Sequence, residues 1–176
     1  MNRSIIIVAT VILASIIGFF FINQQTNKNT PQESISRQTL ETTPQSQMID
    51  KQASFAIFTN GTFRVFTASM YHNLSEYVFI QADNPNIVHV KKAGVTWNDF
   101  FKTLPFKLTS ECLTTGTKET FCTGTNGSLR FYLNGNQKQN VLEEEIKAGD
   151  QLVVTFGREN AQQIQEQIQK LHDMIN

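Results

Sequence analysis

The distribution of apolar residues changes character several times along the chain. Ile5 to Ile22, IIIVATVILASIIGFFFI, is apolar except for Thr10 and Ser15 and carries no charge. A run of that length lies at the lower end of what crosses a bilayer as a helix. Asn23 to Gln52 mixes Gln, Thr, Ser and Asn with Pro31 and Pro44, and its apolar residues are isolated and without period. Such a stretch buries too little apolar surface to offset the entropy of ordering it. From Ala53 the short runs FAIF, FRVF, YVFI, IVHV, LRFYLNG and QLVVTFG recur, with Asn60-Gly61, Asn126-Gly127 and Asn134-Gly135 between or beside them. Phe, Val, Ile and Tyr in short runs next to Asn-Gly predict strands joined by tight turns.

One segment inside this region has a different period. In AGVTWNDFFKTLPF, Thr96 is placed as an N-cap, Asp99 falls in the first turn, and Trp97, Phe100, Phe101 and Leu104 recur at helical spacing until Pro105. This predicts one short helix whose aromatic stripe covers the sheet. VLEEEIKAGD is a weaker helical candidate, with Gly149 ending it. At the far end, Ile164, Ile168, Leu171 and Ile175 form a narrow stripe on an otherwise polar helix. That stripe has two readings: it docks on the domain, or it pairs with a partner helix.

The chain therefore divides into an N-terminal membrane anchor at 1–22, a disordered polar tether at 23–52, an α+β domain at 53–157 and an amphipathic helix at 158–176. A cleaved signal peptide competes with the anchor reading, since Arg3 and the amino terminus make a short positive region. The apolar run ends in GFFFINQQ, however, where a cleavage site needs small residues. An uncleaved, single-pass anchor with the domain outside the cytoplasmic membrane is the expectation. A coil of about thirty residues would separate anchor and domain by roughly 30 Å.

Charge narrows the function. Acidic and basic residues are equal in number over the whole chain, 15 of each. Without a net positive field, sequence-independent binding to nucleic acid has no source.

The closing pattern, LRFYLNG followed by AGDQLVVTF, resembles the last two strands of transcobalamin C-terminal-like and related ubiquitin-like β-grasp domains. A longer stretch, from about Tyr71 to Gly157, is similar to a family of small membrane-anchored bacterial proteins that carry IVHVKKAGVTWNDFF, paired cysteines and FYLNG in this order. The resemblance implies a β-grasp-like mixed sheet with one main short helix. It brings no catalytic residue and does not imply cobalamin binding.

Cys112 and Cys122 are the only cysteines, ten positions apart around Gly116 and several threonines. An even count in an exported chain points to a structural bridge. Closing a loop of about eleven residues contributes roughly 2.5 to 3 kcal/mol in the chain-entropy model. A redox pair wants Cys-x-x-Cys, and a zinc site wants closer pairs with spaced histidines. His72 and His89 would approach each other if YVFI and IVHV pair, with Asp83 or Glu76 nearby, but the set falls short of a metal site. No metal or other cofactor is expected. The chain has no Gly-x-Ser-x-Gly elbow and no phosphate loop, and the Glu143 to Glu145 run reads as a solvated helix face.

Trp97, His72 and His89 are the candidate ligand-binding residues should any aromatic patch stay exposed. The function expected is a non-catalytic, membrane-anchored, extracytoplasmic module that binds a protein or cell-envelope ligand. The alternatives are an accessory structural subunit of a membrane complex, using the anchor and C-terminal helix, and, behind it, a metal-dependent enzyme.

Overall fold

The structure, a computed structural model, describes residues 48–175. The expected anchor at 5–22 and most of the expected tether lie outside the described residues. Among the described residues no helix is long and apolar enough to cross a membrane.

Strand β1 (Met48–Thr59) starts inside what was expected to be tether. The correction has a local cause. Gln52 and Lys51 pair with His89 and Val90 of β4 (Ile87–Lys92), and Lys91 Nζ reaches the Asp50 carboxylate at 2.8 Å. The polar residues at 50–52 are therefore held by backbone pairing and an ion pair, while Ile49 before them packs against the core. β1 ends at Asn60-Gly61, where both residues have positive φ (50° and 76°), and the chain reverses into β2 (Thr62–Phe63). That is the primed turn that Asn-Gly favours in a two-residue hairpin.

The remaining strands are β3 (Val78–Phe79), β5 (Lys107–Leu108), β6 (Cys112–Thr114), β7 (Thr120–Cys122), β8 (Ser128–Leu133), β9 (Asn136–Lys138) and β10 (Gln151–Gly157). A mixed sheet runs β3-β4-β1-β10-β8-β9, with β2 on the remaining part of β1; β5-β6-β7 form a separate antiparallel sheet. β1 and β10 lie side by side at the centre and are parallel over six residue pairs, Ser54 with Gln151 through Thr59 with Phe156. Both are covered on two faces, which is why FAIF and LVVTF read as nearly continuous apolar runs.

One face packs Phe55, Ile57, Phe131, Leu152 and Val154 against helix α1 (Trp97–Thr103) and the small sheet. Thr96 caps α1 as its sequence predicts: its Oγ1 accepts from the Asp99 N–H at 3.1 Å while Asp99 Oδ2 accepts from the Thr96 N–H at 3.0 Å. The other face packs Ala56, Phe58, Tyr132 and Val153 against helix α2 (Ala161–Ile175), through Ile164 and Leu171. The stripe of the C-terminal helix is thus docked on the domain's own sheet. Asn160 and Gln163 exchange backbone-to-side-chain bonds of 2.9 and 3.0 Å, a reciprocal cap that starts α2.

VLEEEIKAGD is helical only for a single 3₁₀ turn, Val141–Glu143. Glu144 just beyond it is extended and Glu145 bridges to Thr96, so the three glutamates do not share a helix face: Glu144 pairs with Lys138, and Glu145 with Lys51.

Candidate functional site

The site starts from an interruption in the edge of β1. At Phe55 that edge is taken by Asn86, whose backbone carbonyl accepts from the Phe55 N–H and whose Nδ2 donates to the Phe55 carbonyl. β4 covers the edge before this point and β2 covers it after. The FRVF run consequently stays paired only briefly. It keeps one backbone bond at Arg64, then delivers Phe66 into the core and makes a 3₁₀ turn over Ser69–Tyr71.

Between this departing segment and the small sheet opens a cleft of about 440 Å³. One wall is Thr62–Phe66 with Met70 and Tyr71; the other is Leu113 and the hairpin tip Thr115–Thr117. Ile57, Phe66 and Leu113 are buried in the core beneath, and Phe66 packs its ring on Tyr71 at 5.2 Å and Phe106 at 5.9 Å. Val65 and Met70, by contrast, are 63% and 53% exposed. Large apolar side chains that face water beside an apolar cleft are the arrangement that binding surfaces use.

The small sheet is held by the disulfide. Cys112 and Cys122 are directly opposite across β6 and β7 and form the predicted bridge. Leu113, between them on the other face, pairs with Phe121, and Phe121 meets Phe156 of the main sheet at 5.3 Å. The disulfide therefore closes the hairpin that forms one wall. Arg64 ties the two walls: its Nε donates to Thr59 Oγ1 at 2.6 Å, its guanidinium lies 5.5 Å from the Phe121 ring centre, and Nη2 is 3.7 Å from Glu119 Oε2.

His72 is a neighbour of the cleft with a structural task. Its Nε2 is 2.8 Å from the Phe66 carbonyl; a carbonyl only accepts, so Nε2 carries the proton and fixes the turn that presents Met70. His89 lies elsewhere, stacked on Phe79 at 5.2 Å across β3 and β4. The structure does not bring the two histidines into one site, and among the described residues no three His, Cys, Asp or Glu are grouped to hold a metal. Trp97 is corrected as a ligand-binding candidate. It is fully buried beside Phe100 and Phe101, and its backbone N–H donates to the Glu144 carbonyl at 3.2 Å.

Val65, Met70 and Leu113 were not legible as site residues. The one available signal was Met70, the only large apolar residue between Phe66 and Tyr71.

Compared with protein-family models, curated proteins and solved structures, the chain gives no match, so no residue role comes from a relative.

Proposed function

We propose that the protein is a non-catalytic binding module that uses the cleft between Val65, Met70 and the disulfide-closed hairpin, carried outside the cytoplasmic membrane on the Ile5–Ile22 anchor. The carrying observation is the pair of exposed apolar side chains, Val65 and Met70, over a floor made rigid by Phe66, Phe106 and Leu113. An exported location is supported by the Cys112–Cys122 disulfide, since such bonds persist in oxidising compartments.

The fold reading is β-grasp-like. Its support is the order β4-β1-β10-β8-β9, with parallel β1 and β10 at the centre, antiparallel β4 and β8 flanking them, and α1 in the connection between β4 and β8. The structural-subunit alternative draws less support, because the Ile164 and Leu171 stripe is occupied by the domain's own sheet.

The test is site-specific photocrosslinking in intact membranes, from a photoreactive residue at Met70 and from a control at Gln169 on the exposed side of α2. A discrete, saturable crosslink from Met70 alone is expected. Identical patterns from the two positions would remove the cleft as the binding surface.

A further inference from the structure

We propose that the cleft takes an extended peptide, which adds as a strand to the outer edge of β2 and places an apolar side chain on Phe66 and Phe106 and a carboxylate at Arg64. This rests on the binding-module reading and specifies its ligand.

β2 has β1 on one side, and the Arg64 N–H donates to the Ile57 carbonyl at 2.8 Å. In an antiparallel pair, consecutive residues point their N–H and C=O groups to opposite sides. Phe63 therefore turns its groups away from β1, and beyond the Arg64 bond the Val65 N–H has no partner among the described residues. The five consecutive residues Thr62–Phe66 all line the cleft. Side chains on a strand alternate between faces, so a wall made of every residue is an edge, not a face.

This edge also lacks the usual protection. Exposed edges are blunted by lysine, proline, a bulge or a cover. The opposite edge strand, β9, is Asn136-Gln137-Lys138, polar throughout and ending in lysine. Thr62-Phe63-Arg64-Val65 contains neither lysine nor proline and is rich in residues that favour strands.

Charge selects the carboxylate. Arg64 is the one charged residue in the lining, and no acid faces it from within the cleft. Its partner Glu119 lies at 3.7 Å with a side chain 57% exposed, a long and solvated pair that competes weakly. A peptide carboxylate over the apolar floor meets the same guanidinium in drier surroundings, where a charge-assisted bond is stronger.

The test uses the full-length protein in lipid nanodiscs and a random library of short linear peptides, with affinities of the selected peptides measured by fluorescence polarisation. Val65→Pro removes the outward N–H but leaves the Arg64 to Ile57 bond; Val65→Ala keeps the N–H and trims the apolar surface. Selected peptides should carry an acidic residue among alternating apolar positions. They should lose about tenfold or more in affinity on Val65→Pro, less on Val65→Ala, and a few-fold on Arg64→Gln. Backbone N-methylation of a selected peptide at alternate residues should reproduce the Val65→Pro loss with no change to the protein.

Peptides that tolerate both Val65→Pro and N-methylation but fail on Met70→Asp would overturn strand addition while the binding cleft stands. Peptides that bind Met70→Asp as well as wild type would overturn both. A dimer of the wild-type protein that Val65→Pro converts to monomer would overturn the peptide proposal by placing a second copy's edge there.

Discussion

Asp150 shows how much structure one side chain organises. It is buried, its Oδ2 accepts from the Lys147 N–H at 2.9 Å, and its Oδ1 accepts from Asn134 Nδ2 at 3.0 Å. Asn134 in turn accepts from the Gln151 N–H at 2.9 Å and has φ of 52° in the turn between β8 and β9. The Asn-Gly and Gly-Asp motifs are therefore one hydrogen-bonded unit that sets the start of β10. Asp150→Ala leaves two donors without their acceptor and should cost about 2–3 kcal/mol, measurable by chemical denaturation. A cost within experimental error would show that the two motifs are independent.

Glu145 is an exposed counterpart with a pH signature. The Lys51 ammonium, through a hydrogen bond of 3.1 Å, and then the Gly94 N–H hold its carboxyl below the ordinary value of 4.5. A carboxyl with a lowered folded pKa adds stability above its unfolded pKa and loses it as pH falls through the folded one. The melting-temperature difference between wild type and Glu145→Gln should therefore hold at neutral pH and narrow as the pH drops below about 4.5. An undiminished difference at roughly pH 3 would count against this account.

At the scale of elements, the connection into α2 is held by Glu159. Its carboxylate accepts from the Gly61 N–H at 2.9 Å and from Arg130 Nη2 at 3.1 Å, while its carbonyl accepts from Arg130 Nη1 and Nη2 at 3.2 Å. The Glu159 side chain is 5% exposed. It thereby ties the β1–β2 turn, β8 and the approach to α2 at one point. Removing one partner of a buried pair is costly because the other charge is left behind. Glu159→Ala should lose about 3 kcal/mol, and the double change Glu159→Leu with Arg130→Leu should recover much of it. A single substitution costing under about 1 kcal/mol, a surface pair's worth, would mean that this junction does not hold α2.

Across the molecule, what was legible in the sequence was local. The Thr96–Asp99 cap, the Asn60-Gly61 and Asn134-Gly135 turns and the cysteine pair all rest on chemistry within a dozen residues, and each is present. Two features were not legible because distant segments decide them. Residues 48–52 look like tether because their pairing with β4 is by backbone. The cleft brings Phe66 beside Leu113, whose approach depends on both walls packing on a common core. The FRVF run and the cysteine pair could each be placed from sequence; the space left between that run and the disulfide-closed hairpin could not.

The parallel pairing of β1 and β10 has a mechanical consequence. The chain enters the sheet at the Met48 end of β1 and leaves β10 at Gly157, at the opposite end of the shared ladder. Tension applied between those two points acts along the strands, so the rungs from Ser54–Gln151 to Thr59–Phe156 bear load together in shear rather than being peeled one after another. A sheet built this way, pulled at those two points, behaves as a clamp rather than a zipper.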